Sequence, residues 1–198
     1  MQLSSSVTQR REGFVRSLYG LHHALTSDNP RRSGEARRVL ARLRRSFVGG
    51  RQEAEAYDVV FPHEPPEREQ KMWLLVAGFF ALHPHGNTAR GRSFGAAMRE
   101  LVEKRPSAAR RFTQLLTVDP PALPHHLRQA VQLLRACDVA IDYHRLLADL
   151  VEMQESADQA HRVRLRWAQH YHRPKRTPGS TTAQPELPEG VTAEPVDE

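Results

Sequence analysis

Eleven histidines and a set of spaced carboxylates are the residues whose types could perform chemistry. The histidines gather at His22-His23, at His83-Pro84-His85 and at His125-His126. A zinc or nuclease centre needs three or more converging ligands. No HExxH run, His-Asp doublet or cysteine partner accompanies these pairs, and Cys137 is the sole cysteine. His83 closes an apolar segment and reads as a capping or core residue rather than a ligand. The acids Asp138, Asp142, Asp149 and Glu152 are strung along helical sequence, with Asp142 placed to cap a helix. Gly49-Gly50 follows a helical stripe as a C-cap would, and Gly86, Gly91 and Gly95 do not have the spacing of a phosphate-binding loop. The expectation is a protein without catalytic residues, metal or cofactor; a histidine-using nuclease ranks far behind.

The chemistry that remains is that of arginine. Of 29 basic residues only Lys71, Lys104 and Lys175 are lysines, leaving 26 arginines against 23 acids, a formal net charge of +6. The charge is arranged in blocks. Residues 31–51 hold eight arginines and only Glu35 as an acid, and 90–117 are also basic, as is the short stretch 162–172. Residues 52–89 and 118–161 are acidic. The last 26 residues, from Arg173, are proline-rich and net −2, so 1–172 carry +8. Guanidinium forks suit phosphate oxygens, so the basic blocks point to a polyanion.

Helices must position these charges. Phe14, Leu18, Leu21 and Leu25 form one stripe at helical spacing, and Val39, Leu40, Leu43 and Phe47 form a second. On the second helix Arg37, Arg38, Arg42, Arg44 and Arg45 occupy the arc opposite the apolar one, without an acid at i+4 among them. A short or irregular helix is expected around 54–61. Residues 68–82, with Trp73, Phe79 and Phe80, are apolar nearly all round and predict a buried helix. Ser93 caps a helix over 94–104, Pro106 opens the next, and further helices are predicted over 124–137, 143–155 and 157–172. The aromatics fall on these stripes and serve the core, leaving no stacking platform for bases. The predicted fold is all-α, with eight or nine helices in two packed helical bundles, 1–105 and 106–172, and a disordered C-terminal tail over 173–198. The longest apolar run, Met72 to Leu82, is about half a membrane span, and no signal segment opens the chain, so a cytoplasmic protein is expected.

Several segments together resemble a known family. Phe79-Phe80-Ala81-Leu82-His83-Pro84, Ser93-Phe94-Gly95 with Met98 and Leu101, and Arg110-Arg111-Phe112 with Leu115-Leu116 are similar to CasB, the small subunit of the type I-E CRISPR Cascade surveillance complex. The likeness continues through Leu123-x-x-x-Leu127-Arg128-Gln129, Leu133-Leu134, Ile141-Asp142-Tyr143, Leu146-Leu147-x-Asp149-Leu150 and Trp167-Ala168-x-x-Tyr171. Met153 stands where the family often has tryptophan, and the tail extends beyond the family core. The resemblance implies a non-catalytic subunit that packs beside a second copy of itself and against the Cascade backbone and large subunits of a crRNA-containing complex. It also implies basic surfaces that line the displaced single strand of target DNA and support the R-loop. By matching segments the DNA-binding role falls on Arg37, Arg38, Arg68 and Arg128; charge adds Arg42, Arg44, Arg45, Arg110, Arg111, Arg162 and Arg164. The alternative is a scaffold whose alternating acidic and basic blocks dock neighbouring proteins without touching nucleic acid.

Overall fold

The computed structural model describes residues 2–173, so all of the expected tail except Arg173 lies outside the described residues. Among the described residues the fold is all-α, with eight helices of nine residues or more and two single turns. In chain order these are α1 (Gln2–Leu25), α2 (Pro30–Arg45), the single turns α3 (Arg51–Ala54) and α4 (Tyr57–Val60), and α5 (Gln70–Leu82). After them come α6 (Phe94–Lys104), α7 (Ala109–Thr117), α8 (Leu123–Ala136), α9 (Tyr143–Glu155) and α10 (Ala157–His172).

Local sequence explains where the helices begin. Asn29 caps α2 by accepting from the backbone N–H groups of Arg31 and Arg32, with Pro30 at the first helical position. Ser93 caps α6 through the Ala96 N–H, and Asp142 caps α9 through the Arg145 N–H. Asp142 does more than the sequence shows: its other oxygen accepts from the Gly91 N–H at 2.6 Å, so one carboxylate joins the loop before α6 to the start of α9. The expected break at Pro62 is a 3₁₀ turn, Phe61–His63. Pro106 opens a 3₁₀ turn, Pro106–Ala108, ahead of α7, at the step where the sequence places the boundary between bundles.

The core is one continuous cluster drawing on every long helix. Helix α5 lies at its centre, packed against α2, α8 and α9, and ten of its thirteen residues are buried. Helices α6 and α10 meet so closely that a Cβ at Gly95 would collide with the Trp167 backbone carbonyl. Glycine is therefore required there by helix approach. The His83-Pro84-His85 pair has a structural task. His83 Nε2 lies 2.9 Å from the Val139 carbonyl, and His85 Nε2 accepts from the Ile141 N–H at 2.9 Å. The two rings thus clamp the α8–α9 loop onto the end of α5. The Tyr143 hydroxyl, 2.9 Å from the His83 carbonyl, closes the same buried junction.

Two buried carboxylates are held in the same way at distant places. Glu69, fully buried, receives two bonds from Arg11 of α1 at 2.7 and 2.8 Å and one from the Trp73 indole at 3.2 Å. Asp149 of α9 receives the Trp167 indole at 2.6 Å and Arg166 of α10 at 3.0 Å. Burial alone would raise the Glu69 carboxyl's pKa, but Arg11 and Trp73 outweigh that and hold it below the ordinary value. These arginines are committed to the fold.

Candidate nucleic-acid interface

Helix α2 buries Ala36, Leu40 and Leu43 and turns most of its arginines outward, as its periodicity requires. Its solvent face divides into two parts. In the first, Arg31, Arg32, Arg37 and Arg38 are exposed, and among the described residues the one carboxylate in an ion pair with them is Glu35, 3.7 Å from Arg38. That pair is 82 and 62 % exposed, a geometry that contributes little and leaves Arg38 available. In the second part the arginines find acids although none stands at i+4 along the helix. Arg45 bonds Glu55 at 2.9 Å, and Arg42 lies 3.5 Å from Asp58. The Arg45 hydrogen bond in turn holds the Glu55 carboxyl below its usual pKa. The neutralising acids come from the turns after α2, outside the helix that the i+4 rule surveys. Arg44 gives its Nε proton to the Ala81 carbonyl at 2.8 Å, satisfying one of the free carbonyls at the end of α5.

The remaining candidates are distributed unequally. Arg128 of α8 sits with its guanidinium carbon 4.9 Å from the centre of the Phe47 ring, which follows directly after α2. It makes no hydrogen bond or ion pair within the described chain, and its Nε is shielded without a partner. Arg111 of α7 donates to Gln129, the next residue, at 2.5 Å. The fold therefore gathers the end of α2 (Arg45), Arg111 and Arg128 into one region, although these are far apart in the sequence. Arg110 is exposed on α7, and Arg162 is exposed on α10, near the Glu152 carboxyl, which the Arg166 hydrogen bond holds below its usual pKa with help from the Arg162 charge. Arg164 donates to the Val118 carbonyl at 2.7 Å and so ties α10 to the end of α7. Arg68 stands apart, exposed beside Glu69 at 3.9 Å, in a depression that also holds Glu155.

Sequence reasoning missed three members of this surface. Arg31 and Arg32 belong to the same arginine block but precede the apolar stripe that drew attention to 37–45. Lys71 is exposed at the start of α5 and lines, with Arg128, a cavity of about 350 Å³ between the end of α2, α5 and α8. Its signal was hidden because it opens the most apolar segment of the chain. Among the described residues there is no group of three or more His, Cys, Asp or Glu able to hold a metal ion, and no helix is long and apolar enough to cross a membrane.

Comparison with known proteins places the chain in a family. The family model of the CRISPR-associated protein Cse2 matches residues 39–172. CasB from Thermobifida fusca is 26 % identical with a TM-score of 0.64, over 85 % of this chain and 98 % of its own. CasB from Thermus thermophilus is 28 % identical with a TM-score of 0.59, over 79 % and 96 %. A chain of a CRISPR RNA-guided surveillance complex shares the fold at 22 % identity and a TM-score of 0.63, over 84 % and 92 %. No curated protein matches.

Proposed function

Because the chain belongs to the CRISPR-associated Cse2 family, also called CasB, we propose that it is the non-catalytic small subunit of a cytoplasmic type I-E Cascade complex and holds the displaced strand of target DNA on a basic surface. The observation that carries this reading is the first part of α2. Four exposed arginines there face solvent with one weak acidic contact among them. Such a cluster is self-repelling until a polyanion neutralises it. R-loop formation is a near-balanced exchange of one duplex for another, so phosphate contacts to the freed strand shift it toward opening. These contacts position the strand without reading its sequence. In this role the subunit lies beside a second copy of itself and against the backbone and large subunits of the crRNA-containing complex.

The test is reconstitution of the complex with Arg37→Glu/Arg38→Glu in place of the parent chain. The complex should assemble with its full complement of crRNA, while R-loop formation on target duplex weakens and permanganate reactivity of the displaced strand falls. Unchanged R-loop formation would refute strand binding by this face. Loss of assembly would favour a scaffold role instead, a reading to which exposed Phe61 and Leu165 lend support as apolar contacts for protein neighbours.

A further inference from the structure

The cavity beside Arg128 has a composition that phosphate binding alone does not explain. Arg128 and Lys71 contribute two cations without an acidic partner among the described residues, and Leu74, Leu75 and Pro124 contribute apolar wall. Glu53 lines the same cavity, and among the described residues its carboxylate makes no hydrogen bond or ion pair. It is brought there by the turn at Gly49 and Gly50, whose φ angles of 84° and 57° are the left-handed values that glycine adopts freely. A carboxylate left unpaired beside two cations weakens a site meant only for phosphate. It suits a ligand that carries an anion and a hydrogen-bond donor on a flat apolar body, and a nucleotide has all three. The volume, about 350 Å³, lies at the lower end of the range of small-molecule sites, roughly 300–1,000 Å³, and fits one such unit.

We propose that this cavity seats a single unstacked nucleotide of the bound strand, and that Glu53 selects bases with an exocyclic amino group, cytosine over thymine. The proposal rests on the strand-binding role above and adds to it a base preference. Arg128, held over Phe47, and Lys71 meet the phosphate. The ring lies against Leu74, Leu75 and Pro124, and Glu53 accepts from the amino group, as carboxylates do from cytosine N4. Thymine offers a carbonyl at that position, which the carboxylate repels.

The experiment measures binding of the full chain to fluorescent oligo-dC, oligo-dT and abasic strands of equal length at one salt concentration. Pyrimidines are chosen because their own stacking is weak. Oligo-dC should bind about three- to tenfold more tightly than oligo-dT, the net worth of one typical hydrogen bond, and more tightly than the abasic strand. Glu53→Gln should bring the dC/dT ratio close to one. The ratio is the informative readout, since removing an acid raises affinity for every strand. Equal and salt-sensitive binding of all three strands would overturn the cavity's role while leaving strand binding intact. Binding of none of them would overturn both. If Glu53→Gln fails to fold, the comparison of strands on the parent chain alone decides.

Discussion

Two pairs of substitutions on α2 remove the same charge and should have different effects on DNA binding. Arg37→Ala/Arg38→Ala takes away two guanidiniums whose one acidic neighbour is the exposed Glu35 at 3.7 Å. Arg42→Ala/Arg45→Ala takes away two that already face Asp58 at 3.5 Å and Glu55 at 2.9 Å. A phosphate contact displaces condensed counterions, and each contact to a single strand contributes about 0.7 to the slope of log affinity against log salt. The first pair should therefore lower that slope by about 1.4. Between about 50 and 200 mM salt the variant then loses about sevenfold less affinity than the parent. The second pair should leave the slope almost unchanged, because an internally paired guanidinium has few counterions to release, although the freed acids lower affinity somewhat. The assay is fluorescence anisotropy of a labelled single strand across a salt series, with circular dichroism to verify folding. Equal slope changes for the two pairs would refute the partition of the α2 face that the ion pairs define.

Three further outcomes test the framework that carries this face. Arg11→Met leaves the Glu69 carboxylate buried without its bidentate partner and should cost about 3–5 kcal/mol in denaturant unfolding. In the parent, the depressed Glu69 pKa contributes stability above its unfolded value near 4.5 that is lost as pH falls through the folded value; in the variant, whose folded pKa is raised, stability should instead improve as pH falls from neutral. The His85 imidazole is held near a pKa of about 4, chiefly by burial, and its Nε2 is committed as an acceptor for the Ile141 N–H. Stability should therefore decline as pH drops from about 6.5 toward 4 while the unfolded chain takes up the proton first, and His85→Gln should flatten that segment of the pH profile. Gly95→Ala sets a methyl group against the Trp167 carbonyl and should destabilise by about 1–3 kcal/mol or more, measured as a lowered Tm; an unchanged Tm would mean that α6 and α10 do not approach as closely as described.

Helix positions, caps and the core were legible in the sequence because each depends on residues within a turn or two of one another. The stripe of Val39, Leu40, Leu43 and Phe47 turned inward as its spacing demands, and Ser93 and Asp142 cap the helices they precede. His83 is buried at the end of α5, as its place after an apolar run implies, but the sequence could not say that it meets Val139 or that His85 meets Ile141 beside it.

What the sequence determined by itself is the all-α fold, the outward direction of the α2 arginines and the family. Which of those arginines remain available is set by the tertiary fold. Direction follows from a local period of about 3.6 residues. Availability depends on what a long, flexible side chain can reach, and those groups come from elsewhere in the chain. Arg42 and Arg45 find acids on the turns after α2, Arg44 finds a carbonyl at Ala81, and Arg164 finds one at Val118. Arg128 meets an aromatic ring instead of a charge, at the mouth of a cavity whose walls come from three separate segments. Charge counted along the chain could show where arginine is dense; the folded chain alone separates the guanidiniums it has already used from those left for a phosphate.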